Sequence, residues 1–234
     1  KLARDGGAIA GYAVINNALA AFLGGSMDGR NVVVRTGTLD ESGNALFRIV
    51  NTITGADAVA PGSFCQTDKE PLFLTERGVF AITAEELTGE KYSQERSYYI
   101  GSAIREASGR AAASACIYGD FYVLALDGSL YLLDLQQKTY ERGSPYSSFQ
   151  YECYCWPGIP ASVVFTDADG ALCFGTADGR LCRFAADPDD PWVYNDDGAA
   201  IDAFWETAVF DGELFFHVKT FTGIAVRLAA AAVT

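Results

Sequence analysis

Pairs of polar turns recur along this chain at a nearly fixed distance, and that recurrence constrains the fold more than any other feature. Short turns fall at Asp28-Gly29, Arg77-Gly78, Asp127-Gly128, Asp178-Gly179 and Thr222-Gly223, so their glycines step by 49, 50, 51 and 44 residues. Upstream of each lies a second turn, at Asn16-Asn17, Lys69-Glu70, Gly119-Asp120, Asp169-Gly170 and Asp211-Gly212, stepping by 53, 50, 50 and 42. Self-similarity at such a period marks a repeat architecture in which each unit is one supersecondary element.

Between the two turns of a unit runs a short apolar segment: EPLFLTERG, DFYVLALDG, ALCFGTADG and ELFFHVKTFTG. A further apolar segment follows the second turn, as GVFAIT, GSLYLLDL and GRLCRF. Asp-Gly between apolar runs is a strong hairpin signal, because a type I′ turn needs positive φ at both central residues. A strand also precedes the first turn (GYAVINN, ASACIYGD, ASVVFTDADG, ETAVFDGE), and a variable segment after the last supplies a fourth (ALFRIVNT, RSYYIGS, KTYERGSPY). The middle strands are apolar at successive positions, as a sheet buried on both faces requires. Four antiparallel strands repeated every fifty residues or so are the sequence form of a β-propeller blade. The expectation is an all-β chain, a β-propeller of about five four-stranded blades. Helical periodicity is confined to a turn or two in AITAEELTGEKY and SAIREASGRAAASA, where Gly109 interrupts the second.

The last unit departs from the pattern. Residues 199–234 have the shorter spacing and lack Asp-Gly at the second turn, so they read as a degenerate last blade or as the start of a following β-sandwich. Residues 1–234 are expected to be one propeller domain within a longer protein, because the chain opens KLARDGG without a targeting signal and stops inside the apolar run IAVRLAAAAVT.

Composition narrows function. Half of the residues are apolar, enough for a real core, yet no uninterrupted apolar run is long enough to span a membrane. With 17 Lys+Arg against 30 Asp+Glu the net charge is −13, which repels phosphate backbones and anionic lipid and argues against nucleic-acid and membrane-surface roles. The six cysteines are scattered through strand-like segments and read as reduced structural thiols. Cys153 and Cys155, two apart on one strand face, would have Cα atoms about 6.6 Å apart, at the far edge of disulfide geometry. No second pair with zinc spacing follows.

The strings ALCFGTADGRLCRFAAD and DFYVLALDGSLYLLDLQQ resemble the blade repeat of PQQ-like quinoprotein propellers. A longer series, KEPLFLTERGVFAIT, QERSYYIG, DFYVLALDGSLYLLD, YECYCW and IDAFWETAVFDG followed by KTFTGIAVRL, resembles the propeller region of tail-associated structural proteins of phages and prophages. In that family an A-x-W-x-T strand, here Ala203 to Thr207, leads through a D-G turn to a K-T-F strand, here Lys219 to Phe221. VINNALAAFLGG is similar to the family's N-N-R-L strand, with Ala18 where a basic residue is expected. The resemblance implies a virion component, found in the particle or in the bacterial cytoplasm during assembly, whose partners are other virion or tail proteins. It brings no catalytic residue with it.

The chemistry-bearing residues are few. His217, the single histidine, sits among apolar neighbours in ELFFHVKTF with no base or nucleophile in its motif and reads as structural. GGSMDG around Ser26 lacks the second glycine of a nucleophile elbow, and no phosphate-binding loop occurs. Asp167 and Asp169, in TDADG, have the alternating spacing of a hard-cation loop, but ALCFG supplies no downstream acid, and the competing reading is a solvated Asp-Gly turn. Asp187, Asp189, Asp190, Asp196 and Asp197 form the densest acidic stretch, in a proline-punctuated loop that reads as solvated. Aromatics gather in YSSFQYECYCWPGIP, and Tyr151, Tyr154 and Trp156 are the candidate ligand-binding residues. The expected function is a non-enzymatic structural and protein-interaction module without a cofactor. The alternatives are a carbohydrate-binding propeller that takes a glycan and, further off, a quinoprotein-like enzyme.

Overall fold

The computed structural model describes residues 8–15, 18–24, 30–54, 60–68, 70–84, 91–140, 148–187, 189–190, 193, 195–201, 204, 216–218, 220, 222–223 and 225. Among the described residues the chain is all-β apart from one short helix and three 3-10 turns. It divides into two units, Lys1–Val193 and Tyr194–Thr234.

The first unit holds four antiparallel sheets in succession, each with its strands in sequence order. The first comprises β1 (Ala8–Ile15), β2 (Ala18–Gly24), β3 (Arg30–Leu39) and β4 (Ala45–Thr54). The second comprises β5 (Cys65–Gln66), β6 (Pro71–Leu74), β7 (Val79–Ala84) and β8 (Lys91–Glu95). The third comprises β9 (Ser114–Tyr118), β10 (Phe121–Leu126), β11 (Ser129–Tyr140) and β12 (Phe149–Pro157). The fourth has three strands among the described residues, β13 (Ala161–Thr166), β14 (Leu172–Thr176) and β15 (Leu181–Arg183).

The repeated turns at Arg77-Gly78, Gly119-Asp120, Asp127-Gly128, Asp169-Gly170 and Asp178-Gly179 join the strands that the sequence assigned to them, whereas Asn16-Asn17, Asp28-Gly29, Lys69 and Asp211-Gly212 lie outside the described residues and Thr222-Gly223 joins no described strands. Asp127 (φ 50°) and Gly128 (φ 75°) both take positive φ between β10 and β11, the type I′ geometry that the dipeptide favours. Ser108 fixes this turn, donating its backbone N–H to Asp127 Oδ2 at 2.8 Å and its hydroxyl to Oδ1 at 2.7 Å. Between β6 and β7 the glycine is required for another reason: a Cβ on Gly78 would lie 2.6 Å from Ser97 Oγ.

Two fourth strands differ from expectation. RSYYIGS is not a strand; the second sheet ends on Lys91–Glu95, and Tyr98–Ile100 forms a 3-10 turn leading into α1 (Gly101–Glu106). The cause lies in the two residues before the turn. Arg96 donates its N–H to Val79 O at 2.8 Å, and the Ser97 hydroxyl then replaces a backbone carbonyl by accepting the Val79 N–H at 2.8 Å, which ends the ladder. In the third unit Lys138–Tyr140 extends β11 beyond a bulge, and Phe149–Pro157 is the fourth strand instead of KTYERGSPY.

Alternation along the middle strands divides their side chains between two core layers. Phe73, Phe80 and Ile82 of the second sheet pack on Ala13, Ala20, Phe22, Val32 and Val34 of the first. Leu72, Leu74, Val79 and Ala81 point the other way and meet Tyr122, Leu124, Tyr131 and Leu133 of the third sheet, with Ile104 of α1 beside them. The opposite face of the third sheet, Val123, Ala125, Leu130 and Leu132, packs on Val164 and Leu172 of the fourth. Each large side chain so buried contributes about 1.5–3 kcal/mol. The sheets therefore stack face to face in chain order.

In the second unit, β16 (Asn195–Asp196) and β17 (Ala199–Ala200) form a hairpin around Asp197 (φ 49°) and Gly198 (φ 86°). The expected strands of residues 203–225 fall mainly outside the described residues. Among the described residues no helix is long and apolar enough to cross a membrane.

Candidate functional site

The three aromatic candidates lie on β12, whose residues point alternately to opposite faces of the third sheet. Tyr151 faces the second sheet with Phe149 and is 1% exposed, whereas Tyr154 and Trp156 are on the other face, 49% and 39% exposed. The structure thus brings Tyr154 and Trp156 together and separates Tyr151 from them.

Tyr151 belongs to a buried network that ties the second and third sheets. Its hydroxyl donates to Glu70 Oε1 at 2.9 Å. Arg96, fully buried, pairs with both oxygens of the same carboxylate, Nε to Oε1 at 2.8 Å and Nη2 to Oε2 at 2.9 Å. Its Nη1 donates to Phe149 O at 2.9 Å and to Gln94 Oε1 at 2.8 Å, while Cζ stands 3.7 Å above the Phe149 ring. Burial, and then the Glu70 carboxylate, push the Tyr151 phenol well above its ordinary range. The group is neutral and held in place, a lock between sheets.

Tyr154 and Trp156 stand at the margin between the third and fourth sheets. Tyr154 meets Phe121 edge-on with ring centroids 6.3 Å apart, and Trp156 packs 5.6 Å from Phe184, itself 5.5 Å from Phe174. This half-exposed row presents flat apolar surface suited to stacking. The polar side chains on the same face of β12 have protein partners: Gln150 donates to Glu95 O and accepts from the Tyr98 N–H, and Glu152 accepts from the Thr139 hydroxyl.

Asp167 and Asp169 occupy the β13–β14 turn. Asp167 Oδ1 accepts the N–H groups of Asp169 at 3.0 Å and Ala171 at 2.8 Å, and Arg183 Nε lies 3.4 Å from Oδ2. The Ala171 N–H is the largest of the influences that lower the Asp167 carboxyl below its usual range, with Arg183 adding to it. Asp169 is 79% exposed, with Arg183 Nη2 at 3.8 Å. The Asp167 carboxylate therefore caps the turn, and both carboxylates lie beside the Arg183 cation. Among the described residues no three His, Cys, Asp or Glu side chains converge in a metal-holding group. Of the acidic stretch, Asp187 Oδ1 caps the Asp189 N–H at 3.0 Å, and Asp189, Asp196 and Asp197 are exposed. His217 is exposed on a bend.

One carboxylate escaped sequence reasoning. Glu95 Oε1 is buried at the end of β8 without a hydrogen-bond partner among the described residues. Burial raises its carboxyl above the ordinary value, against the opposing pull of Arg105 and Arg77. Glu70 and Arg96 were read only as a turn residue and a strand residue, since no local pattern announces a partner 26 positions away.

All six cysteines are free thiols. Burial pushes Cys65 up to about 12, Cys116 to about 11 and Cys153 to about 12. At pH 8 their thiolate fractions are then of order one in a thousand to one in ten thousand. Alkylation of the native protein at pH 8 is expected to modify exposed Cys155 first and to reach Cys65, Cys116 and Cys153 only on unfolding, as peptide mass spectrometry of a time course will show.

No protein-family model and no curated protein matches this chain.

Proposed function

We propose that this chain is a non-enzymatic β-propeller module, each meander sheet being one blade, that serves as a structural and protein-interaction scaffold in the tail-associated part of a phage or prophage particle. The observation that carries the reading is the serial stacking of sequence-ordered antiparallel sheets, each buried against the next by its middle strands. The polar groups best suited to chemistry, Glu70, Arg96, Tyr151 and Asp167, are held by bonds within the fold, which supports a scaffold role. The particle assignment is supported by the sequence resemblance described above. Quantitative mass spectrometry of particles purified after induction of the source bacterium is expected to find this chain at a fixed copy number. Its absence from particles, with the protein abundant in the particle-free fraction, overturns the assignment.

A second reading, glycan binding, is favoured by the half-exposed pair Tyr154 and Trp156. Reproducible binding on a glycan array, lost on Trp156→Ala, would establish it; a blank array removes it.

A further inference from the structure

The outer strand of the first sheet differs from its counterparts. β2 pairs with β3 from Leu19↔Arg35 to Phe22↔Val32, whereas β3 and β4 stay paired as far as Leu39↔Ala45. Residues 36–39 and 45–48 thus run beyond the sheet as a two-stranded arm, about 13 Å long at the strand rise. Its tip is fixed: Asp40 Oδ1 accepts the N–H groups of Ser42 at 2.9 Å and Asn44 at 2.8 Å, and Gly43 supplies the positive φ of 81°. Arg35 Nη1 donates to Phe47 O at 2.6 Å, tying the two strands together.

The arm and the part of β4 that adjoins it carry apolar side chains into solvent. Leu39 is 73% exposed, Phe47 53%, Ile49 51% and Val50 55%. Among the described residues no strand pairs with the outer side of β4. Proteins usually blunt such edges by shortness, charge or covering. The other outer strands follow that rule: β8 has only five residues, β12 is covered in part by Arg96, whose carbonyl accepts the Tyr151 N–H at 3.2 Å, and β15 has three residues. β4 has ten residues, with Arg48 as its one charge.

Charge selects the occupant. The edge strand β4 carries Arg48 and no carboxylate; the nearest acids in the chain, Asp40 and Glu41, are at the tip of the arm, where Asp40 is bound to Ser42 and Asn44. Two copies joined through β4 would bring the Arg48 cations of two carboxylate-free edge strands together, and like charges facing each other across strands are destabilising. We propose that an extended segment of a partner protein, bearing carboxylates among apolar residues, adds to the free edge of β4 as a fifth strand. Main-chain bonds to the edge supply affinity, while Arg48 and the exposed apolar side chains supply selection. This edge chemistry does not depend on membership of a particle, so either proposal can fail alone.

The test uses two synthetic probes, a peptide alternating valine with glutamate and its valine–lysine counterpart, titrated into the isotope-labelled chain. The glutamate peptide is expected to bind roughly tenfold more tightly, with the advantage shrinking in high salt. It should perturb and protect the amides of residues 45–54. Arg48→Glu, with an unchanged melting temperature, should reverse the preference. Equal affinity for both probes, binding of neither, protection confined to other strands, or self-association abolished by Ile49→Lys each overturns the proposal.

Discussion

Replacement of Arg96 by methionine is expected to destabilise the fold by about 3–5 kcal/mol, the cost of removing one partner of a buried ion pair. The methionine fills part of the space but leaves the Glu70 carboxylate at a site where its side chain is 6% exposed, with the Tyr151 hydroxyl as its remaining partner in the network. It also removes the donor to Phe149 O and the cation above the Phe149 ring. Against a typical domain stability of about 5–15 kcal/mol this is a large fraction of the whole. Denaturant titration measures the loss directly. Replacing the three polar members together, as Arg96→Met, Glu70→Leu and Tyr151→Phe, is expected to recover most of it, because apolar groups of similar volume need no partners. If the single variant loses less than about 1 kcal/mol, the network does not join the sheets as described.

Phe73→Ala is expected to cost about 3–5 kcal/mol, through lost transfer energy and the cavity left behind. Phe73 is completely buried between the first two sheets, its ring centroid 4.9 Å from Phe22 and 6.1 Å from Phe64, while Phe22 and Phe64 lie 4.7 Å apart. The neighbourhood has little freedom to collapse, since Gly11 lies directly against Phe64: a Cβ there would come within 2.7 Å of the ring. The same truncation at Phe47, on the exposed arm, is expected to change stability by no more than about 0.5 kcal/mol. Paired denaturation curves for Phe73→Ala and Phe47→Ala separate residues that hold sheets together from residues that face outward. Similar costs for the two would contradict the assignment of layers.

The strand order was legible because its signals are local. Asp127-Gly128 announces its turn by conformational preference, and FYVLAL shows by continuous apolarity that both faces of β10 are covered. Where a strand ends was not legible when the cause was distant. Ser97 stops β8 by bonding to Val79, eighteen residues earlier, and nothing in RSYYIGS reveals that. The separation of Tyr151 from Tyr154 and Trp156 could have been read from parity alone, since odd and even positions of one strand face apart. That Glu70 and Arg96 meet could not, because a buried ion pair leaves no periodic trace. The arm was seen only as a variable outer strand; its overhang depends on how far β2 accompanies β3, which is a matter of register.

Each of the three core layers joins sheets that are consecutive in the chain. A nascent polypeptide could therefore complete one layer as soon as the next fifty residues or so have left the ribosome, without waiting for its C-terminal end. Synthesis and assembly would advance in the same direction, and a pause in translation between Pro157 and Ala161, where one sheet ends and the next begins, would leave three docked sheets with the Val123–Leu132 face open.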